Sequence, residues 1–282
     1  MIAERKNKNI VIVSVSSDIG LALADHWLGR GMRVTGTFRT ASQPVTRLEK
    51  KGVKTIFCDL ADVKSVCALE DRITDPWDAL ILCPGTQEPV GPFLDCDFDR
   101  WSRSIHENFI EQIRIVHQLL PKRNRMAGAE PLVLFFAGGG TNNATVNYSA
   151  YTISKISLIK MCELLDAECP DVRFVILGPG WVKTKIHEAT LQAGPSLAGT
   201  NYGRTVEKLD GDQCNPMGNV VECCDWVLSE TREVVGGRNF SVVFDPWRDA
   251  RMPKVLREEP DLFKLRRSGN QRFSFLTNSE KT

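Results

Sequence analysis

Seven short runs of apolar and β-branched residues punctuate this chain, at 10–15, 33–38, 54–57, 79–83, 132–137, 172–177 and 240–244. Between them the apolar residues recur at the period of a helix. In 20–30, Leu21, Leu23, Ala24, Trp27 and Leu28 make one broad apolar face, and 62–73, 98–120, 149–169 and 220–230 read the same way. The strand runs are nearly continuous in apolar character rather than alternating, the pattern of strands covered on both faces of a parallel sheet. Strand–helix–strand repetition with right-handed crossovers predicts an α/β chain. The expected architecture is a single-domain Rossmann fold, with a doubly wound, mostly parallel sheet of these seven strands flanked by helices.

Two stretches break the rhythm. Residues 187–218 are rich in Gly, Pro, Asn and Thr and follow a late strand, so they read either as a substrate-covering segment or as a long surface loop with one helix. Beyond Asp245 the chain carries Pro246, Pro253 and Pro260 and the basic run Lys264-Leu265-Arg266-Arg267. The Rossmann-type domain is therefore expected over 1–245, with 246–282 as a C-terminal extension that is solvated or packed on a partner.

Composition narrows the functional class. A chain of 282 residues suffices for one large α/β domain with a substantial core. Its 36 basic and 35 acidic side chains balance to +1, which provides no electrostatic case for nucleic acid or an anionic membrane. The apolar run that follows the N-terminal charges is too short to span a bilayer and leads into a turn, so no signal peptide is read and a cytoplasmic location is expected. The nine cysteines are scattered and form no C-x-x-C pair, so they are expected as small buried hydrophobes. His26, His106, His117 and His187 lack metal-ligand spacing; they are expected on the surface or on helix faces, and no metal site is predicted.

The candidate chemistry lies in two places. Ser14-Val15-Ser16-Ser17-Asp18-Ile19-Gly20 joins the first strand to the first helix through small residues. The N–H groups and dipole of a helix start suit a pyrophosphate, although a strict G-x-G-x-x-G is missing and an ordinary strand–turn–helix reads equally well. Tyr151 and Lys155, spaced by four, share one face of a predicted helix. A nearby ammonium is expected to lower the phenol from its reference value of about 10. A tyrosine so tuned can protonate a carbonyl oxygen while hydride arrives, or do the reverse in oxidation.

On these motifs the chain, from about Lys8 to Asp245, resembles the short-chain dehydrogenase/reductase superfamily as a divergent member. The resemblance implies a cofactor turn at Ser14, Ser16, Ser17, Asp18, Ile19 and Gly20. It implies an adenine contact at Asp59 beside Leu60, and a cofactor-lining segment at Cys83, Pro84 and Gly85, where Leu82 and Cys83 replace the usual asparagines. Pro179, Gly180, Val182 and Thr184 would line the nicotinamide end, with Thr184 on the carboxamide. Tyr151 and Lys155 would be the acid/base pair and Asn108 the helix asparagine that holds a proton-relay water. Gly138 stands where the family has a serine on the substrate carbonyl, so a backbone N–H or Thr141 is expected in its place.

Cofactor choice is set just after the second strand, where an acid favours NAD and an arginine suits the 2′-phosphate of NADP. Thr37-Phe38-Arg39-Thr40 has no acid and one arginine, so NADP is expected, with NAD as the alternative. The expected activity is NAD(P)-dependent interconversion of a carbonyl and a secondary alcohol on a small molecule. The 236–247 segment resembles members placed among bacterial glycan or secondary-metabolite genes, which points to a sugar or sugar-nucleotide. The alternative is a catalytically degenerate Rossmann protein that binds the dinucleotide for a binding or regulatory role. The resemblance also implies a homodimer or homotetramer paired through the helices near 108–120 and 149–169.

Overall fold

The computed structural model describes residues 8–269. Its strands are β1 (Asn9–Val13), β2 (Arg33–Phe38), β3 (Lys54–Phe57), β4 (Ala79–Leu82), β5 (Leu132–Phe136), β6 (Arg173–Gly178) and β7 (Arg238–Ser241). They form one sheet in the order β3-β2-β1-β4-β5-β6-β7, and every pairing is parallel. The expected Rossmann architecture is therefore the observed one. β1 pairs with both β2 and β4, so the strand order reverses beside β1 and opens a crevice at the C-terminal edge.

The helices are α1 (Asp18–Gly29), α2 (Gln43–Lys50), α3 (Val63–Cys67), α4 (Leu69–Arg72), α5 (Phe98–Ile105), α6 (Glu111–Leu119), α7 (Ser149–Glu168), α8 (Glu188–Ala198), α9 (Thr200–Asp210), α10 (Met217–Ser229), α11 (Arg232–Val235) and α12 (Met252–Glu258). Side-chain alternation splits each strand between two cores. Ile10 and Ile12 face the layer that contains Leu23 and Trp27 of α1 and Val227 of α10. Val11 and Val13 face the layer of Ile115 from α6 and Leu158 and Cys162 from α7. Asp225 ties α1 to α10, accepting the buried Trp27 indole N–H at 2.9 Å and pairing with Arg30 at 2.7 Å.

Several local expectations change. The helix expected over 62–73 divides at Ala68 into α3 and α4. The helix over 98–120 carries a five-residue π segment, His106–Ile110, between α5 and α6. The 187–218 region holds two helices, α8 and α9, and α8 is kinked at Gly194, whose φ is 73° before Pro195. Four cysteines (58, 162, 223 and 224) are buried as expected, whereas Cys67 is exposed and the rest are half-buried.

The last strand begins earlier than the apolar run suggests, because Gly237 turns the chain at φ 68° straight into Arg238. Arg238 is buried, and its guanidinium donates to the carbonyls of Leu256 at 2.6 Å, Leu262 at 2.6 Å and Glu259 at 3.3 Å. These carbonyls belong to the end of α12 and the turn after it, where Pro260 leaves the Leu256 carbonyl without its i+4 donor. The described part of the expected extension, 246–269, thus folds onto its own domain. Trp247, Met252 and Leu256 enter the same core as α1 and α10. Residues 1–7 and 270–282, at the outer ends of the two expected segments, lie outside the described residues.

Trp247 is 5% exposed and donates its indole N–H to Val242 O at 2.9 Å. Trp247→Ala is therefore expected to cost about 3–5 kcal/mol in urea unfolding. A solvated tail would keep the change within about 0.5 kcal/mol.

Candidate active site

The turn after β1 shows why so few glycines suffice there. Ser14 takes the left-handed conformation, φ 63°, with its N–H donating to Thr37 Oγ1 at 2.9 Å. That conformation costs a non-glycine residue about 1 kcal/mol. Ser17 caps α1, its Oγ accepting the Gly20 N–H at 3.0 Å. Gly20 is the position that admits no side chain: a Cβ there would lie 2.6 Å from Ser14 O. The Asp18 carboxylate accepts the Lys185 N–H at 2.8 Å.

Two adjoining cavities run along the C-terminal edge. One, of about 600 Å³, is lined by Ser14, Ser16, Ser17, Arg39, Leu60 and Asn108, together with Thr40, Ser42, Arg103 and Glu107. The other, of about 1470 Å³, holds Asp18, Ile19, Gly138, Tyr151, Lys155, Pro179, Gly180, Val182 and Thr184. Ser17, Arg39, Cys83, Pro84 and Gly85 border both. Of the expected site residues, Gly20, packed beneath the turn, and Asp59 line neither. The Asp59 carboxylate accepts the Ala61 N–H at 3.0 Å, closing its own turn, and leaves Cys58 and Leu60 to face the groove.

Burial decides the state of the two chemical residues. Lys155 is buried beneath Gly85 and donates from Nζ to Pro84 O at 3.1 Å. Desolvation lowers its ammonium to about 8, opposed by the nearby Cys83. Desolvation pushes the Tyr151 phenol up to about 12. The expected lowering of Tyr151 by Lys155 does not occur here. The ammonium is committed to Pro84 and stands 5.8 Å from the Tyr151 ring centroid, so burial outweighs it. The Cys83 thiol is likewise pushed up to about 12 by burial, against a Ser17 hydrogen bond, and is a neutral wall.

Asn108 is fully buried inside the π segment. Its Oδ1 accepts the Thr86 N–H at 2.9 Å and its Nδ2 donates to Thr86 O at 2.9 Å, so it clamps the loop after Pro84 and Gly85. Its main-chain carbonyl accepts Gln112 Nε2 at 2.7 Å. Both the side chain and the main-chain carbonyl of Asn108 are thus engaged by protein groups. Gln112 lies one turn after Asn108, and that i,i+4 spacing was the available sequence signal.

Gly138 meets Tyr151 directly. A Cβ at 138 would sit 2.7 Å from both Cε1 and the hydroxyl oxygen of Tyr151. The ring therefore packs where a side chain would stand. Gly140, at φ 99°, passes close over Thr152, and Thr141 lines the larger cavity. Across that cavity, Gly180 turns at φ 74° and Trp181 stacks on His187 at 4.8 Å. His187 is buried rather than on the surface; burial lowers its imidazole pKa despite the 3.0 Å bond to Val182 O.

An all-parallel Rossmann sheet whose C-terminal crevice gathers a helix N-terminus, a half-buried tyrosine one helical turn from a buried lysine, and a clamping asparagine defines the class of short-chain oxidoreductases. The short chain dehydrogenase family matches residues 8–193, from the start of the described chain into α8, and the chain belongs to it. An uncharacterized oxidoreductase of Saccharomyces cerevisiae is 25% identical over 185 residues, covering 63% of this chain and 71% of its own. The crystal structure of a short chain dehydrogenase/reductase from that yeast has a TM-score of 0.73 at 22% identity, over 85% of this chain and 97% of that one. An actinorhodin polyketide ketoreductase variant crystallised with NADPH has a TM-score of 0.71 at 18% identity, over 84% of this chain and 96% of that one. At such identities the structural likenesses establish the fold.

Because Tyr151 occupies the space beside Gly138, Gly138→Ala is expected to displace the ring. Misplacement by about 1 Å costs on the order of 10²-fold in turnover. Gly138→Ser should be at least as damaging despite restoring a hydroxyl. A serine variant with increased turnover would contradict this packing.

Proposed function

We propose that this protein is an NADP-dependent reductase that converts a carbonyl on a small polar molecule to a secondary alcohol, with Tyr151 as the proton donor. The observation that carries the reading is the placement of Tyr151 and Lys155 in one cavity that opens onto the helix-capped turn at Ser14–Gly20. The residues fit a dinucleotide. Gly85 brings bare backbone to the groove wall above Lys155, and Cys83 presents a neutral wall. Pro179, Gly180, Val182 and Thr184 would flank the nicotinamide end, Lys155 would hold ribose hydroxyls, and the N–H groups of the turn would face the pyrophosphate. The dinucleotide, when bound, supplies hydride chemistry.

Tyr151 then gives its proton to the substrate oxygen. Burial that keeps the phenol protonated suits this reductive direction, because an alkoxide is a stronger base than a phenolate. The same burial is what favours the alternative of a dinucleotide-binding protein without turnover. Turnover of any carbonyl compound in a substrate panel decides between them.

Arg39 supports NADP, since its guanidinium-bearing side chain lines the groove just after β2, beside Thr40 and Ser42 in the smaller cavity. Asn142, Asn143, Thr145, Gln192, Asn201 and Gln213 wall the larger cavity with neutral hydrogen-bonding groups, which supports a hydroxylated substrate such as a sugar or sugar-nucleotide. Ile153 and Leu164 on α7 are 48% and 44% exposed, which supports pairing with a second copy as a homodimer or homotetramer. A cytoplasmic location belongs to the same reading; among the described residues no helix is long and apolar enough to cross a membrane.

Tyr151→Phe is expected to lower turnover by at least about 10²-fold while NADPH binding persists. NADPH should raise the melting temperature more than NADH, and Arg39→Ala should close that gap by weakening NADPH alone. Equal stabilisation by both cofactors in the unaltered protein would remove the NADP assignment. The lowered Lys155 sets a pH dependence. Its ammonium is present below about pH 8 and lost above it, so dinucleotide affinity should fall as pH rises through that value. Lys155→Met should bind more weakly and show no such step.

A further inference from the structure

Lys185 crosses the groove between the two cavities. It follows Thr184 in the loop between β6 and α8, and its Nζ donates to Ser16 O at 2.7 Å on the opposite wall. It borders both cavities. The smaller one holds Thr40 and Ser42, where the dinucleotide reading puts the adenosine; the larger one holds Tyr151, where it puts the substrate. The bar formed by this side chain therefore lies over the turn that opens α1, where the two halves of a dinucleotide would join.

The bar is anchored at its base. The Lys185 N–H donates to the Asp18 carboxylate at 2.8 Å, so the loop end is pinned to the first turn of α1. The arrangement also answers a charge problem. Asp18 places a negative charge beside a turn suited to a phosphate anion. The Lys185 ammonium, on the neighbouring Ser16 carbonyl, is the cation best placed to offset it. Ser16 O is a neutral acceptor, and an ammonium bonds a phosphate oxygen more strongly than a neutral carbonyl.

Resting on the dinucleotide reading above, we propose that Lys185 is a pyrophosphate clasp. It leaves Ser16 O when a dinucleotide lies along the groove and transfers its ammonium to the diphosphate bridge, while Asp18 holds its backbone in place. The clasp acts on binding. It reads the diphosphate linkage and is indifferent to the 2′-phosphate, which falls to Arg39 in the smaller cavity.

The test measures binding directly, by calorimetric titration of the full chain with NADPH and with adenosine 2′-monophosphate, which keeps the adenosine and the 2′-phosphate but carries neither phosphate of the diphosphate bridge. Lys185→Met should weaken NADPH by about tenfold or more, as expected for a lost charge-assisted hydrogen bond, and leave the 2′-monophosphate unchanged. Lys185→Arg, which keeps the cation, should retain most of the NADPH affinity. Added salt should narrow the difference between Lys185→Met and the unaltered protein. Unchanged NADPH binding in Lys185→Met, or an equal loss for both ligands, would overturn the clasp. An unaltered protein that binds neither NADPH nor NADH would instead overturn the functional reading on which it rests.

Discussion

Parallel pairing of all seven strands is the constraint on which the rest of this protein depends. Strands that run the same way deliver their C-terminal ends to one edge, and each must return through a crossover on a face of the sheet. The covering helices make the two cores, and the crossovers leave loops together at the edge. The phosphate-suited turn follows β1, the Arg39 segment follows β2, Pro84 and Gly85 follow β4, the Gly138 loop follows β5, and Pro179 to Lys185 follow β6. A site assembled from five loops far apart in sequence is a consequence of topology before it is a matter of side-chain chemistry.

Within that frame, the substituted glycines and the retained ones have separate physical explanations. Ser14 takes a left-handed conformation because its N–H is held by Thr37 Oγ1, so a serine is tolerated where a glycine would be unstrained. Asp18 is tolerated because its carboxylate is directed to the Lys185 N–H. Gly20 and Gly138 have no such latitude: one lies against a backbone carbonyl and the other against the Tyr151 hydroxyl. The absence of a serine at 138 is thus a packing arrangement in which Tyr151 has taken the available space.

Desolvation governs the electrostatics of the site. Tyr151, Lys155 and Cys83 are all moved toward their neutral forms by burial, against weaker local charges and hydrogen bonds. Around them the polar groups are paired within the protein. Asn108 holds both backbone groups of Thr86, Gln112 holds the Asn108 carbonyl, and Lys155 holds Pro84. Such a network fixes the loop after β4 against α6 and α7 and makes the groove wall rigid.

Hydrophobic periodicity, a local property, was enough to establish the fold class, and β2 and β3 lie at the bounds that their apolar runs mark. The Tyr151–Lys155 spacing and the glycine at 138 were legible for the same reason: helix geometry and the lack of a side chain are properties of the residues themselves. Tertiary structure alone decided the rest. Lys185 reaches Ser16 across 169 positions, and Arg238 gathers the tail by its carbonyls, contacts that no local pattern encodes. The turn that removes Asp59 from the groove, the π segment that aims Asn108 and the two helices within 187–218 depend on what packs around them. The sign of the Tyr151 shift depends on how much water the fold excludes, and a sequence records the ammonium four residues away but not the burial that outweighs it.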